Sequence, residues 1–180
     1  MTAEIKSRSR VYEGKVLALE IVDLQLDGGR VVQQEVVTHQ PSVGIVPVDE
    51  DGRLLLVRQF RSPAEGDLLE IPAGSADPDE DSETAAQREL QEEVNRRASR
   101  LRRIGGFYLA PGYCTEYMTI YVAEGLIDSS LQADDDEQIE VEPVTLDEAL
   151  AWIASGQIQD VKTVAALLLY ARDSSVRSAT

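Results

Sequence analysis

Three glutamates, Glu89, Glu92 and Glu93, fall within about one helical turn at the end of the stretch GSADPDEDSETAAQRELQEEVN (74–95), and this crowding constrains the chain more than any other feature. On a helix of 3.6 residues per turn, Glu89 and Glu93 (i, i+4) and Glu92 share one face. Ala86, Leu90 and Val94 form an apolar stripe roughly 100° away by the same geometry. Such a helix packs Leu90 inward and holds a cluster of oxygens at its side. Like charges at this spacing destabilise a helix mildly unless something neutralises them, and the chain already carries a formal net charge of −16. Arg88 pairing with Glu92 on a solvated face is one resolution, and a hard cation taking oxygen ligands is the other. A turn at Pro72-Ala73-Gly74 precedes the segment, with Pro stiffening it and Gly admitting a close backbone approach. Ser82 is the expected N-cap of the helix, which runs to about Arg96.

Around this segment the pattern alternates between strands and helices without a steady β-α rhythm, which predicts a mixed α/β, or α+β, fold. Residues 11–26 end in strand-like alternation, Asp27-Gly28-Gly29-Arg30 is a turn, and Val31 to Thr38 alternates again. Residues 1–40 are thus expected to form a small N-terminal β unit, with the main domain over 41–180. Val43–Val48 and Leu54–Phe60 flank Asp49-Glu50-Asp51-Gly52 and predict a second hairpin. Leu68–Ile71, 101–109, 117–124 and 139–144 read as further strands. Helices are expected over Leu146–Ala154, capped by Thr145, and over Val161–Arg172.

Composition excludes several function classes. No run of 18 or so apolar residues exists to span a membrane, and the N-terminus has no apolar core of a secretory signal. One cysteine, Cys114, allows no internal disulfide and fits a reducing cytoplasm. Cys114 and the single histidine, His39, cannot build a structural zinc site. A pI of about 4.4 argues against general nucleic-acid binding. The run Arg96, Arg97, Arg100, Arg102 and Arg103 reads as a solvated patch at a strand end.

The spacing G-x5-E-x7-R-E-L-x-E-E, carried by Gly74, Glu80, Arg88, Glu89, Leu90, Glu92 and Glu93, resembles the Nudix box of the Nudix hydrolases. A chance match of these seven positions is on the order of 1 in 10⁵ or rarer at average residue frequencies. The resemblance implies a mixed sheet flanked by helices, with a loop-helix-loop site for Mg²⁺, Mn²⁺ or another divalent cation. Glu89 and Glu93 would be the principal ligands, Glu92 would ligate or act close by, and the Ala73 carbonyl would contribute. Arg88 and Glu80 would pair to hold the loop against the helix. The chain departs from the family motif after the box core, with Asn95 and Arg96 where the motif has Gly and an aliphatic residue. Asn tolerates the left-handed helix exit, whereas Arg96 removes an apolar contact behind the helix.

The chemistry implied is diphosphate hydrolysis, and the rest of the substrate is read elsewhere. Pro111 in FYLAPGYCTE stands fifteen residues after the box ends at Arg96. That placement, with VRQFR and LEIPAG upstream, is similar to the ADP-ribose pyrophosphatase subfamily over roughly residues 11–170. Carried over by position, Arg61 would contact the diphosphate, Arg58 less directly, and Glu70 would bind substrate or orient the site. Pro111 and Glu116 would lie in the substrate loop. Glu137, in the acidic stretch 133–140, matches a mobile-loop glutamate that acts as general base or orients water, once closure brings it within hydrogen-bond reach. The N-terminal unit would pack across a homodimer, with Tyr12 and Val31–Thr38 contributing to the surface. The resemblance thus implies a cytoplasmic, Mg²⁺-dependent hydrolase of ADP-ribose, giving AMP and ribose 5-phosphate. The alternatives are another nucleoside diphosphate sugar such as GDP-mannose, or a non-catalytic nucleotide-binding regulator.

Overall fold

The computed structural model describes residues 3–132 and 138–178, so Glu137 lies outside the described residues. The chain forms two compact units. The first runs to Pro41 and takes in Tyr108–Tyr117; the second comprises Ser42–Phe107 and the chain from Met118 onward.

The first unit is an antiparallel sheet of β1 (Ala3–Glu13), β2 (Leu17–Leu26) and β3 (Val31–His39), with β2 in the centre. The alternation at the end of residues 11–26 is β2, and β1 is a further strand that the pattern did not show, since it is exposed at every position and lacks the contrast that marks a half-buried strand. Buried Glu20 on β2 accepts hydrogen bonds from Arg8 and Arg10 of β1, which stitch the edge strand to the centre. Residues 108–117 join this unit through Val37, whose N–H donates to the Tyr113 carbonyl and whose carbonyl accepts from Thr115 N–H.

The second unit contains two sheets and three helices. Its first sheet has the order β7 (Ala73–Ser75), β4 (Ser42–Pro47), β9 (Tyr117–Asp128), β8 (Arg96–Tyr108). β4 is parallel to β9 and antiparallel to β7, so the sheet is mixed. The other sheet is antiparallel, in the order β10 (Glu140–Val144), β5 (Leu54–Arg61), β6 (Gly66–Glu70). The expected hairpin at Asp49–Gly52 is therefore a corner: β4 and β5 enter different sheets, and only Val48 and Leu54 bridge. Both strands are almost wholly buried, so each needs partners on both edges and cannot spend its length on the other.

Helix α1 (Ser82–Glu93) lays Ala85, Ala86 and Leu90 against Val43 and Ile45 of β4, Leu55 and Val57 of β5, and Tyr121 and Ala123 of β9. The apolar stripe read from the sequence is the buried one. Its N-cap is Asp81, not Ser82: the Asp81 carboxylate accepts from the N–H groups of Glu83 and Thr84. Ser82 instead bonds the Tyr121 hydroxyl at 2.8 Å. The two residues differ by one position, and only packing against β9 decides which side chain turns back on the helix. At the other end Asn95 adopts φ 57°, the left-handed exit expected of it. Arg96 turns outward to Asp128, while Val94 and Ala98 fill the core behind the helix.

β8 starts at Arg96, directly after that exit, so the arginine run lies along a strand and not at its end. Arg100 pairs with Glu124 and Arg102 with Asp173. Helix α2 (Leu146–Ser155) is capped by Thr145, as the sequence indicated, and Glu148 completes a capping box with it. Helix α3 (Val161–Ser178) continues beyond the expected end at Arg172. No helix among the described residues is long and apolar enough to cross a membrane.

Candidate active site

Arg88 organises the box. Its guanidinium donates to both carboxylate oxygens of Glu80 (3.2 and 3.0 Å), to Glu89 (2.7 Å), to Glu92 (2.9 Å) and to the Ser75 carbonyl (2.8 Å). The pairings suggested by local helix spacing and by the box motif coexist, because five N–H donors in one plane can serve several acceptors. Burial disfavours a charged Arg88, yet the Glu80 hydrogen bonds and the Glu89 charge outweigh it and hold the guanidinium above its ordinary pKa. Glu80 is in turn held below the usual carboxylate range, chiefly by its bonds to Arg88. Glu80 also accepts from Asp77 N–H at 3.0 Å, which closes the loop before the helix.

Glu89 and Glu93 are buried, a costly place for carboxylates without compensation. Glu93 accepts from Ala73 N–H at 3.3 Å, which brings the end of α1 against β7. Gly74 is required here by space: a Cβ at this position would fall on the Glu89 carboxylate. Three carboxylates (Glu80, Glu89, Glu92) thus share one arginine, and Glu93 adds a fourth negative charge from the same helix as Glu89 and Glu92. With Arg88 Nη1 bridging Glu89 and Glu92, no three acidic, His or Cys side chains among the described residues converge on one point. The side chains of Glu89, Glu92 and Glu93 nevertheless offer only oxygen donors, and excess negative charge remains after Arg88 is counted. That chemistry fits a hard divalent cation.

A second charged cluster adjoins the box. Arg61, at the end of β5, donates from Nε and Nη2 to the two oxygens of Glu70 at 2.9 and 2.7 Å. Glu70 is 1 % exposed. Burial alone would raise its pKa, but the Arg61 hydrogen bonds and the Lys162 charge win and hold it below the usual range. Arg61 is raised above its ordinary value, mainly by the Glu70 bonds and with a contribution from the charge of Glu93, so the two clusters sense each other. Arg58 is not brought to this site. Three residues from Arg61 on an unbroken strand, it faces the other side of the sheet and pairs with Glu142 at 2.6 Å.

Sequence reasoning missed Lys162, which reaches Glu70 at 2.5 Å and Asp160 at 3.0 Å, and Thr163, whose Oγ1 accepts from Ile71 N–H at 2.9 Å. The available signal was Asp160, an N-cap type ahead of an apolar helical period, whose carboxylate accepts from Thr163 N–H.

Pro111 and Glu116 lie in the first unit. The Ala110 carbonyl accepts from the N–H groups of Tyr113 and Cys114 in a tight turn around Pro111, and Leu109 N–H donates to the Glu116 carbonyl. His39 and Cys114 have structural surroundings: His39 N–H donates to the Thr115 hydroxyl, and the Cys114 sulfur accepts from Glu116 N–H.

The family model of the NUDIX domain matches residues 38–167. The chain is 36% identical to the ADP-ribose pyrophosphatase of Bacillus subtilis (strain 168) over 163 residues, covering 89% of this chain and 88% of that protein. It is 33% identical to the methanol dehydrogenase activator of Bacillus methanolicus over 160 residues, covering 88% and 86%. Its fold is similar to that of a crystal structure of an ADP compounds hydrolase, with a TM-score of 0.88, 28% identity, and coverage of 98% of this chain and 96% of that one. With the box residues gathered around Arg88 and the family model spanning most of the chain, the chain belongs to the Nudix family and is a Nudix pyrophosphatase.

Proposed function

We propose that this enzyme hydrolyses ADP-ribose to AMP and ribose 5-phosphate, with Mg²⁺ as its preferred cation. The observation that carries the reading is the adjacency of two clusters: carboxylates in excess on α1, and an arginine, Arg61, held bidentate by buried Glu70 within electrostatic reach of Glu93. A diphosphate hydrolase needs both, one to retain cations and one to read phosphoryl oxygens. Glu89, Glu92, Glu93 and the Ala73 carbonyl would hold the cation, and Mn²⁺ or another divalent ion suits the same oxygens. Bound there, it neutralises diphosphate charge and acidifies water.

The chain's own residues do the rest. Arg61 donates N–H groups to the diphosphate while Glu70 fixes its plane. Arg88 keeps Glu80, Glu89 and Glu92 in register. A water oxygen forms a bond to one phosphorus, the bridging P–O bond breaks, and the water proton passes to a base. Glu137 is proposed as that base or as the group that orients the water. Pro111 and Glu116 are proposed to contact the substrate beyond the diphosphate, and the similarity to an ADP-ribose pyrophosphatase supports ADP-ribose as that substrate. We also propose a homodimer through the N-terminal unit, supported by the exposed apolar residues Ile5, Val11, Tyr12, Val16 and Val31 there.

The test is product release from ADP-ribose, GDP-mannose, NADH and diadenosine polyphosphates, each with Mg²⁺ and with EDTA. EDTA-sensitive turnover of ADP-ribose above the others is expected. Preference for another diphosphate overturns the roles given to Pro111 and Glu116 but keeps the box.

A further inference from the structure

We infer that Lys162 is a positioning residue for diphosphate binding: it shares Glu70 with Arg61 and so leaves the Arg61 charge available to the substrate. The inference rests on the diphosphate-binding role proposed for Arg61.

Glu70 Oε2 accepts from two cations at once, Arg61 Nη2 at 2.7 Å and Lys162 Nζ at 2.5 Å. Lys162 is the more deeply placed of the two, its side chain 11% exposed against 37% for Arg61. The pair with Arg61 is the side-on form, through Nε and Nη2, in which Nη1 takes no part. Asp160 completes the set at 3.0 Å from Lys162 Nζ. Two carboxylates and two cations cancel, so the cluster is neutral and the outermost of its charges is the cation of Arg61.

Without Lys162 the same cluster carries a net charge of −1, directly behind the group that must attract a polyanion. An isolated Arg61–Glu70 pair would need no lysine for its geometry, because the bidentate fork is already complete. What Lys162 adds is charge, delivered from the first turn of α3. That turn is anchored by hydrogen bonds: Asp160 accepts from Thr163 N–H and hydroxyl at 2.9 and 2.6 Å, and Thr163 Oγ1 accepts from Ile71 N–H, one residue after Glu70.

The readout is ADP-ribose affinity by calorimetry in EDTA, together with KM and kcat in Mg²⁺ and the melting temperature. Lys162→Met is expected to weaken binding and raise KM about tenfold, with kcat within about threefold, the size expected for one unit charge several ångströms away at an effective dielectric near 20. Adding Asp160→Asn restores neutrality while keeping a side chain that caps a helix equally well. The double variant is therefore expected to return to within about threefold of wild-type affinity. A double variant as weak as Lys162→Met, or weaker, overturns the inference, since Lys162 would then act through packing. Unchanged affinity in Lys162→Met overturns it as well. Wild-type protein that binds no ADP-ribose but binds another diphosphate of the panel changes the substrate and moves the comparison to that ligand. Wild-type protein that binds none removes the role of Arg61, and the inference with it.

Discussion

Arg88 makes five hydrogen bonds, to Glu80, Glu89, Glu92 and the Ser75 carbonyl, and its removal leaves three largely buried carboxylates without their shared cation. Arg88→Ala is expected to cost about 3 kcal/mol in urea unfolding. Millimolar Mg²⁺ should recover part of that loss, because a cation neutralises the same oxygens; no recovery would mean that the carboxylates do not gather a cation. Glu93→Gln keeps an acceptor for Ala73 N–H and removes a charge. Turnover should fall at least about a thousandfold with the melting temperature preserved. Wild-type kcat for Glu93→Gln at saturating Mg²⁺ would strike Glu93 from the ligand set. The motif made these residues legible because their spacing is local, one loop and one helix. Lys162 was not legible, since its partner Glu70 is 92 positions away and nothing in the sequence pairs them.

The ends of α1 decide whether its carboxylates stay aimed; one is a side-chain cap at Asp81, the other a left-handed exit at Asn95. Asp81 satisfies two otherwise orphaned N–H groups, so Asp81→Ala should cost about 1 kcal/mol in urea unfolding. Ser82→Ala instead breaks the bond to Tyr121 and is expected to leave the cap intact. Asn95 holds φ 57°, so Asn95→Gly should be neutral or slightly stabilising and Asn95→Ala destabilising by about 1 kcal/mol. The element as a whole was readable from its 3.6-residue period, whereas its cap was not, because Asp81 and Ser82 are both good capping types in adjacent positions. The corner between β4 and β5 shows a similar limit. A turn is written in Asp49–Gly52, whose Asp49 carboxylate accepts from the N–H groups of Asp51 and Arg53, but which sheets the flanking strands join is not.

Over the whole molecule, thirty-three acids against seventeen Lys and Arg make the fold self-repelling, and the depressed carboxylates set its acid limit. Glu70 and Glu80 both lie below the ordinary glutamate value of 4.5. Groups lowered in this way add stability that is present above that value and lost as pH falls through their folded pKa values. Urea unfolding should therefore show stability declining below about pH 4.5, with a shallower decline in Glu80→Gln, which has one fewer such group; an unchanged slope would exclude Glu80 as a contributor. Mg²⁺ should also raise the melting temperature more than NaCl of equal ionic strength, and Glu93→Gln should abolish the difference. The sequence by itself determined the Arg88–Glu92 pair, the buried stripe of the helix and the left-handed exit at Asn95, because each depends on residues within a few positions of one another, where helix geometry fixes who meets whom. Only the tertiary structure decided that Arg58 faces away from Arg61, that residues 108–117 join the N-terminal sheet, and that the first turn of α3 delivers Lys162 to Glu70. Those are contacts between distant segments, selected by how sheets and helices exclude water together, and no local pattern encodes them.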